Sequence, residues 1–115
     1  MKGETAMNKV IKEIEDTILD KVEDWWEIID IEYDENAEYI QAIEMEAEDL
    51  GIFGRIVLPC ASTNFHYLLQ ADNIDYLESW DDAVINTWYE TPDELLEDLS
   101  SIKVHEMISE CREEE

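Results

Sequence analysis

Positive charge is the scarcest feature of this chain. Its 115 residues include 7 Lys and Arg against 32 Asp and Glu, which gives a formal net charge of −25. Between Val22 and Ile102 there are 22 acidic residues and a single basic one, Arg55. Because proteins bind nucleic acid by placing Lys and Arg against phosphates, this distribution excludes direct nucleic-acid binding.

Cysteine, histidine and glycine are too few for most catalytic or metal chemistry. Cys60 and Cys111 form no CxxC pair or disulfide framework, and His66 and His105 are too separated for a zinc site. Cys60 and His66 fall on different predicted strands, so nothing indicates a paired nucleophile and base. Three glycines leave no Gly-rich phosphate loop, and the acidic segment 72–75 lacks the glycine turn of a calcium loop. We therefore expect no enzyme, no cofactor and no metal.

Long apolar runs are missing as well. The longest, around residues 56–59, is far too short to span a membrane, and residues 1–10 lack the apolar core of a signal peptide. We therefore expect a protein of the reducing cytoplasm that does not bind membranes.

The chain nevertheless has material for a core, because 45% of its residues are hydrophobic and fourteen are Ile. A fold of 13.5 kDa exposes roughly 6,500 Å², or about one net negative charge per ~260 Å². Solubility needs a net charge of only about 2–8, and further like charges weaken a fold. Adaptation to high salt also gives acidic chains, but those are poor in large apolar residues. The charge therefore indicates a function.

The hydrophobic pattern predicts an α+β domain with an N-terminal amphipathic helix, an antiparallel sheet of about three to five strands, and one or two C-terminal helices. Residues 8–109 are predicted to form this single domain, with 1–7 a leader or disordered N-terminus and 110–115 a frayed acidic tail. The first helix covers about 8–27, with Asn8 as its N-cap.

Two strands follow as a predicted hairpin with alternating sides. In the first strand Ile29, Ile31 and Tyr33 face inward, and Asp30, Glu32 and Asp34 face outward. In the second, the inward residues are Tyr39, Gln41, Ile43, Met45 and Ala47, and the outward ones are Glu44, Glu46 and Glu48.

After the hairpin, the sequence pattern predicts a turn, two further strands and at least two helices. Gly51 and Gly54 bracket a predicted turn, and strands are expected over 55–60 and 64–71. A short helix that buries Trp80, Val84 and Trp88 is predicted to begin at Ser79. Another begins at Thr91 with Pro92 in its first position and Glu94 completing a capping box. Residues 102–108 fit a strand or a continued helix equally well.

The acidic residues of the hairpin are the main candidate for function. Regularly spaced carboxylates on one sheet face would present a basic groove with something like a nucleic-acid backbone. Trp26 falls off the main apolar stripe, so we expect it to be exposed, and either Trp26 or Tyr89 to anchor a partner. The candidate partner-binding residues are Trp26, Asp30, Glu32, Asp34, Glu35, Glu44, Glu46, Glu48, Asp49, Asp81, Asp82, Asp93, Glu94, Glu97 and Asp98.

In size, charge and dense placement of Asp and Glu, the chain resembles the DNA-mimic inhibitors of mobile elements, namely anti-restriction and anti-CRISPR proteins. The runs that carry this resemblance are 44–49, 81–82, 93–98 and 113–115. The resemblance implies a stoichiometric inhibitor without a cofactor, acting in the cytoplasm of a bacterial or archaeal host. Its partner would be a basic nucleic-acid-binding protein such as a Cas effector or a restriction enzyme.

Composition leaves two other classes of function open. An immunity protein or antitoxin that neutralises a basic toxin nuclease would also be small, acidic and cytoplasmic. A regulatory module with a basic protein partner has the same properties. The oligomeric state does not follow from the sequence.

Overall fold

The computed structural model describes residues 6–35, 39–59, 63 and 66–113. Within these, three α-helices accompany one five-stranded antiparallel sheet, which confirms the predicted α+β class. The chain order is α1 (Ala6–Trp25), β1 (Glu27–Tyr33), β2 (Ile40–Ala47), β3 (Ile52–Val57), β4 (Tyr67–Asn73), β5 (Ile85–Tyr89), α2 (Pro92–Asp98) and α3 (Ser101–Glu113). The strands pair in sequence order, so β1 and β5 are the two edges.

The helices cover one face of the sheet, and the core lies between the two layers. Ile18 and Val22 of α1 and Val104 of α3 pack in one cluster with Ile43 of β2 and Leu69 of β4. The four-residue spacing of Ile14, Ile18 and Val22 gives α1 its buried stripe, but Val10 and Trp25, which continue this spacing, are exposed. The helix begins at Ala6, so Asn8 lies inside α1 and the predicted start at Asn8 is wrong.

Two β-bulges displace side chains from the predicted alternation in the hairpin. Ile28 pairs with Met45 and Asp30 with Glu44, so Ile29 is an extra residue in β1. Ile29 is 51% exposed, and the prediction that it faces inward is wrong. A second register shift lies beside Gln41 of β2, which is exposed where an inward side chain was predicted. A bulge leaves its extra residue unpaired and changes the side on which neighbouring residues lie.

The turn after β2 differs from its prediction in one respect. Gly51 has a φ of 67°, a left-handed conformation that glycine adopts without strain. Gly54 is part of β3, where it pairs with Met45 of β2, and a Cβ there would lie 2.8 Å from the Cε atom of Met45 and 3.2 Å from the ring of Trp26. β3 therefore begins at Ile52, three residues before the predicted start.

The middle of the chain contains the largest error of secondary structure. A 3₁₀ turn (Trp80–Asp82) and then β5 replace the helix predicted from Ser79, whose side chain makes no cap hydrogen bond. Ile85 and Tyr89 face the core and pair with Ala71 and Tyr67 of β4. Pairing with β4 favours a period of two over the helical spacing of Val84 and Trp88.

Predictions for β4 and the C-terminal region are mostly confirmed. Tyr67, Leu69 and Ala71 of β4 are buried as predicted, while Phe65 and Cys60 lie outside the described residues. The Thr91 hydroxyl oxygen accepts a hydrogen bond from the Glu94 N–H at 3.3 Å.

The Glu94 carboxylate accepts from the N–H of Glu90, one residue before the cap. Residues 102–108 belong to α3, which continues to Glu113 and so includes part of the predicted tail.

Trp26 connects the end of α1 to the end of α2. Its side chain is 5% exposed, so the prediction that it is exposed is wrong. The indole N–H donates a 2.7 Å hydrogen bond to the carbonyl oxygen of Leu99, in the last turn of the α2 region. Carbonyl groups at a helix end have no partner within the helix, so this bond satisfies a buried acceptor.

Replacing Trp26 with Phe should therefore lower the free energy of unfolding by about 1–3 kcal/mol, because a buried carbonyl loses its donor. Urea denaturation measures this change. The matched control is Trp25→Phe at the partly exposed neighbouring tryptophan, where a change within about 0.5 kcal/mol is expected. Equal losses in the two variants would contradict the assigned role of the indole hydrogen bond.

Candidate protein-binding interface

The sheet face opposite the helices, which we call the outer face, carries side chains in three rows across the strands. Alternate residues of a strand share a face, so the strand pairing defines these rows. The first row is Glu32, Ala42, Val57, Leu68 and Trp88; the second is Asp30, Glu44, Arg55, Gln70 and Asn86; the third is Glu27, Glu46, Phe53 and Asp72.

Carboxylates concentrate where β1 and β2 meet on this face, in a group that we call the acidic corner: Glu27, Asp30, Glu32, Glu44 and Glu46. Two pairs of like charges are directly opposite each other, Asp30 with Glu44 and Glu27 with Glu46. Opposed residues have Cβ atoms about 4.5–5.5 Å apart, and like charges there destabilise a sheet. Each such pair costs about 1 kcal/mol even in bulk water.

Arg55 is the one cation in these three rows. Its Nη2 atom lies 3.3 Å from Oε2 of Glu32, and its backbone pairs with Glu44. One arginine therefore faces five carboxylates, and the acidic corner keeps a large net negative charge. The prediction that Asp30, Glu32, Glu44 and Glu46 share one face agrees with the register. Glu27, which was not among the candidates, joins them because the bulge at Ile29 shifts β1 by one residue.

Other cations pair with acids away from the acidic corner. Lys12 lies 3.6 Å from the Glu15 carboxylate, and Lys103 pairs with Asp98. Arg112 of α3 binds Asp72, whose side chain is 1% exposed and also accepts from the N–H groups of Asn73 and Val84. Asp72 therefore contributes no exposed charge to the outer face. The ion pairs recorded among the described residues thus leave the acidic corner mostly unneutralised.

Two predicted residues belong to the turn after β1. The Asp34 carboxylate accepts a hydrogen bond from the Tyr39 N–H at 3.3 Å, and the backbone N–H of Asp34 donates to the Tyr39 carbonyl oxygen. Asp34 therefore stabilises the turn, and Glu35 is exposed beside it.

Glu48 and Asp49 are exposed in the 3₁₀ turn that follows β2. They lie at the end of the acidic corner nearest Glu46. Asp81 and Asp82 are exposed in the second 3₁₀ turn, whose Trp80 carbonyl accepts from the Gln70 side chain of the outer face. Strand pairing places both turns at the same end of the sheet, where Ala47, Ile52, Asn73 and Ile85 lie.

The acids of α2 do not extend the acidic corner. Asp93, Glu94 and Glu97 are exposed on α2, which packs Leu95 into the core from the helix side of the sheet. This separation depends on which face of the sheet α2 covers, and no local pattern of residues indicates that face.

Asp98 takes part in a local network. Partial burial alone would raise the pKa of its carboxyl group, but hydrogen bonds from Lys103 and Tyr89 outweigh burial and lower that pKa overall. The Tyr89 hydroxyl donates a hydrogen bond to the Asp98 carboxylate at 2.8 Å. Burial is the main cause that raises the pKa of Tyr89, and the contact with Asp98 raises it further. These contacts bind the end of α2 to β5 and the start of α3, so Asp98 has a structural role.

Three acids lie close enough to share a cation. Carboxylate oxygens of Glu27, Glu46 and Glu48 lie within 4.8 Å of one another. Exposed acidic groups are commonly this close without an ion, so the geometry alone assigns no metal.

A pocket of about 340 Å³ lies between α1 and the ends of β2 and β3. Its wall is mostly apolar and includes the buried Glu15 carboxylate, which accepts from the Ile40 N–H at 2.9 Å and faces Lys12. This carboxylate already has two partners, so it is not available to orient a ligand.

No family model, no curated protein and no solved structure matches this chain.

None of the helices in the described part of the chain is long and apolar enough to cross a membrane.

The opposed pair Asp30 and Glu44 should make stability depend on salt. We expect the double variant Asp30→Asn, Glu44→Gln to melt about 4–8 °C higher at low salt, because removing the repulsion returns about 1 kcal/mol. Thermal denaturation followed by circular dichroism measures this, and the gain should shrink at 1 M salt, where the Debye length is about 3 Å.

The matched control is Asp81→Asn with Glu110→Gln, two exposed acids that are far apart in the chain. It changes the net charge equally without removing an opposed pair. An equal gain in both variants would show that total charge, and not the facing carboxylates, causes the repulsion.

Proposed function

We propose that this chain is a stoichiometric, non-enzymatic inhibitor that occupies the nucleic-acid-binding site of a defence nuclease. In this proposal the acidic corner takes the place of phosphates, and the partner is a CRISPR effector or a restriction enzyme in the cytoplasm of a bacterial or archaeal host. The observation that carries the proposal is the two pairs of directly opposed carboxylates, Asp30 with Glu44 and Glu27 with Glu46, on the outer face.

The cost of this arrangement supports a function in binding. Opposed like charges weaken the hairpin, and a lysine at any of these positions would relieve them. A basic partner relieves them equally well, because its Lys and Arg side chains would lie between the carboxylates. The repulsion present in the free chain then becomes part of the gain on binding.

A nuclease channel has the complementary chemistry. Such sites hold phosphates with Lys and Arg and release counterions when an anion binds. A net charge of −25 on the inhibitor would accelerate its approach to such a channel, and association would slow as salt screens the charges. Rapid association would allow a protein to compete with nucleic acid for the site.

Neutralising three carboxylates of the acidic corner should weaken inhibition. In the test, purified CRISPR effectors and restriction enzymes cleave duplex substrate in the presence of the wild-type chain or of Asp30→Asn, Glu44→Gln, Glu46→Gln. If each lost contact costs about 0.7 kcal/mol, the triple variant should need roughly 30-fold more protein for half-inhibition.

The matched control removes three exposed charges from α1, on the other side of the molecule, by Glu13→Gln, Asp16→Asn and Asp20→Asn. It should inhibit within about twofold of the wild type if the binding energy is local to the corner. Failure of the wild type to protect substrate from any of these nucleases would contradict the proposal. Equal weakening by both triple variants would show that no particular face is used.

A partner that binds equally well with excess duplex DNA present would favour an immunity protein, which neutralises its toxin away from the nucleic-acid site.

A further inference from the structure

Trp88 is a large exposed side chain on the same face as the acidic corner. Its indole is 53% exposed, although the sequence pattern predicted a buried residue. It ends the first row of the outer face, in which Glu32 belongs to the acidic corner and Val57 and Leu68 lie between. The outer face is therefore acidic at one edge and aromatic at the other.

The position of the indole is defined by the fold. Trp88 pairs across the sheet with Leu68, and the ring of His66 meets it edge-on with ring centroids 6.5 Å apart and planes at 88°. Three strand spacings separate β5 from β2, or about 14 Å. A partner that covers the acidic corner over a standard interface of about 800 Å² also reaches Trp88.

Sites that bind nucleic acid combine two kinds of contact. Lys and Arg hold the backbone, while aromatic rings and Arg guanidinium planes stack on exposed bases. The acidic corner supplies substitutes for the phosphates only. An exposed indole beside it supplies a flat aromatic surface of the kind that a base presents.

We propose that Trp88 is the base-like half of the interface and stacks on an arginine guanidinium of the basic partner. This proposal rests on the proposed function, and charge complementarity identifies the occupant of the outer face as a basic protein site. The carboxylates attract the basic partner as a whole, and an arginine that this partner places over Trp88 gains a cation–π contact with the indole. Lysine makes this contact less well because its ammonium is not planar.

Oligo-arginine and oligo-lysine peptides of equal length provide a direct test that needs no identified target. Titration into isotope-labelled protein, followed by nuclear magnetic resonance, reports the indole N–H signals of Trp25 and Trp88 separately. Both peptides should shift backbone signals of the acidic corner, and oligo-arginine should shift the Trp88 indole more than oligo-lysine does. Trp25, at the end of α1, should respond little to either peptide.

Substitution supplies the second measurement. Trp88→Ala should weaken oligo-arginine binding about fivefold and oligo-lysine binding less than twofold. Ile102→Ala is the matched control, because Ile102 is also 53% exposed but lies on α3. It should change neither affinity. Trp88→Phe should restore part of the arginine preference, and unchanged melting temperatures would show that the fold is intact.

The inference is overturned if Trp88 responds no more than Trp25, if the two peptides affect it equally, or if Trp88→Ala binds oligo-arginine as tightly as Ile102→Ala. A different result would contradict the proposed function, namely that the wild-type chain inhibits none of the nucleases. If a nuclease is inhibited equally by the wild type and by Trp88→Ala, the function stands and Trp88 is excluded from the interface.

Discussion

The alternation of side chains along β2 connects the acidic corner to the hydrophobic core. Ile43 and Met45 are fully buried on the helix side, and Glu44 and Glu46 lie between and after them on the outer face. A slip of one residue in register would exchange the two sets, exposing the core side chains and burying carboxylates. Core packing therefore holds the glutamates opposite β1 despite their repulsion, and the outer face exists only because the inner face is apolar.

The distribution of positive charge also keeps the acidic corner negative. Lys12, Lys103 and Arg112 pair with acids of the helix layer or with the buried Asp72, where an uncompensated carboxylate would be costly. Arg55 is the one cation in the rows of the outer face, and it contacts Glu32. Ion pairing thus stabilises the fold where charge is buried and leaves the exposed corner largely without neutralisation. A surface in this state gains most from a basic partner.

Periodicity in the sequence was enough to predict the fold class, the first helix, the inward residues of β4 and the cap at Thr91. Those features depend on neighbours a few residues apart. The bulges at Ile29 and Gln41 depend on pairing between strands, so alternation alone placed both residues on the wrong side. The predictions that Trp26 is exposed and Trp88 is buried are wrong for a similar reason, since both depend on contacts distant in sequence. The carbonyl of Leu99, distant in sequence, draws Trp26 into the core, and pairing with β4 turns Trp88 outward.

In the proposed function, the acidic corner and nucleic acid compete for one basic site on the partner. The most direct measurement is the apparent dissociation constant of the chain for an inhibited nuclease as the concentration of duplex substrate increases. Competition predicts that this constant rises linearly with duplex concentration, with a slope set by the affinity of the nuclease for DNA. An apparent dissociation constant that does not change with duplex concentration would contradict mimicry and place the binding site elsewhere on the partner.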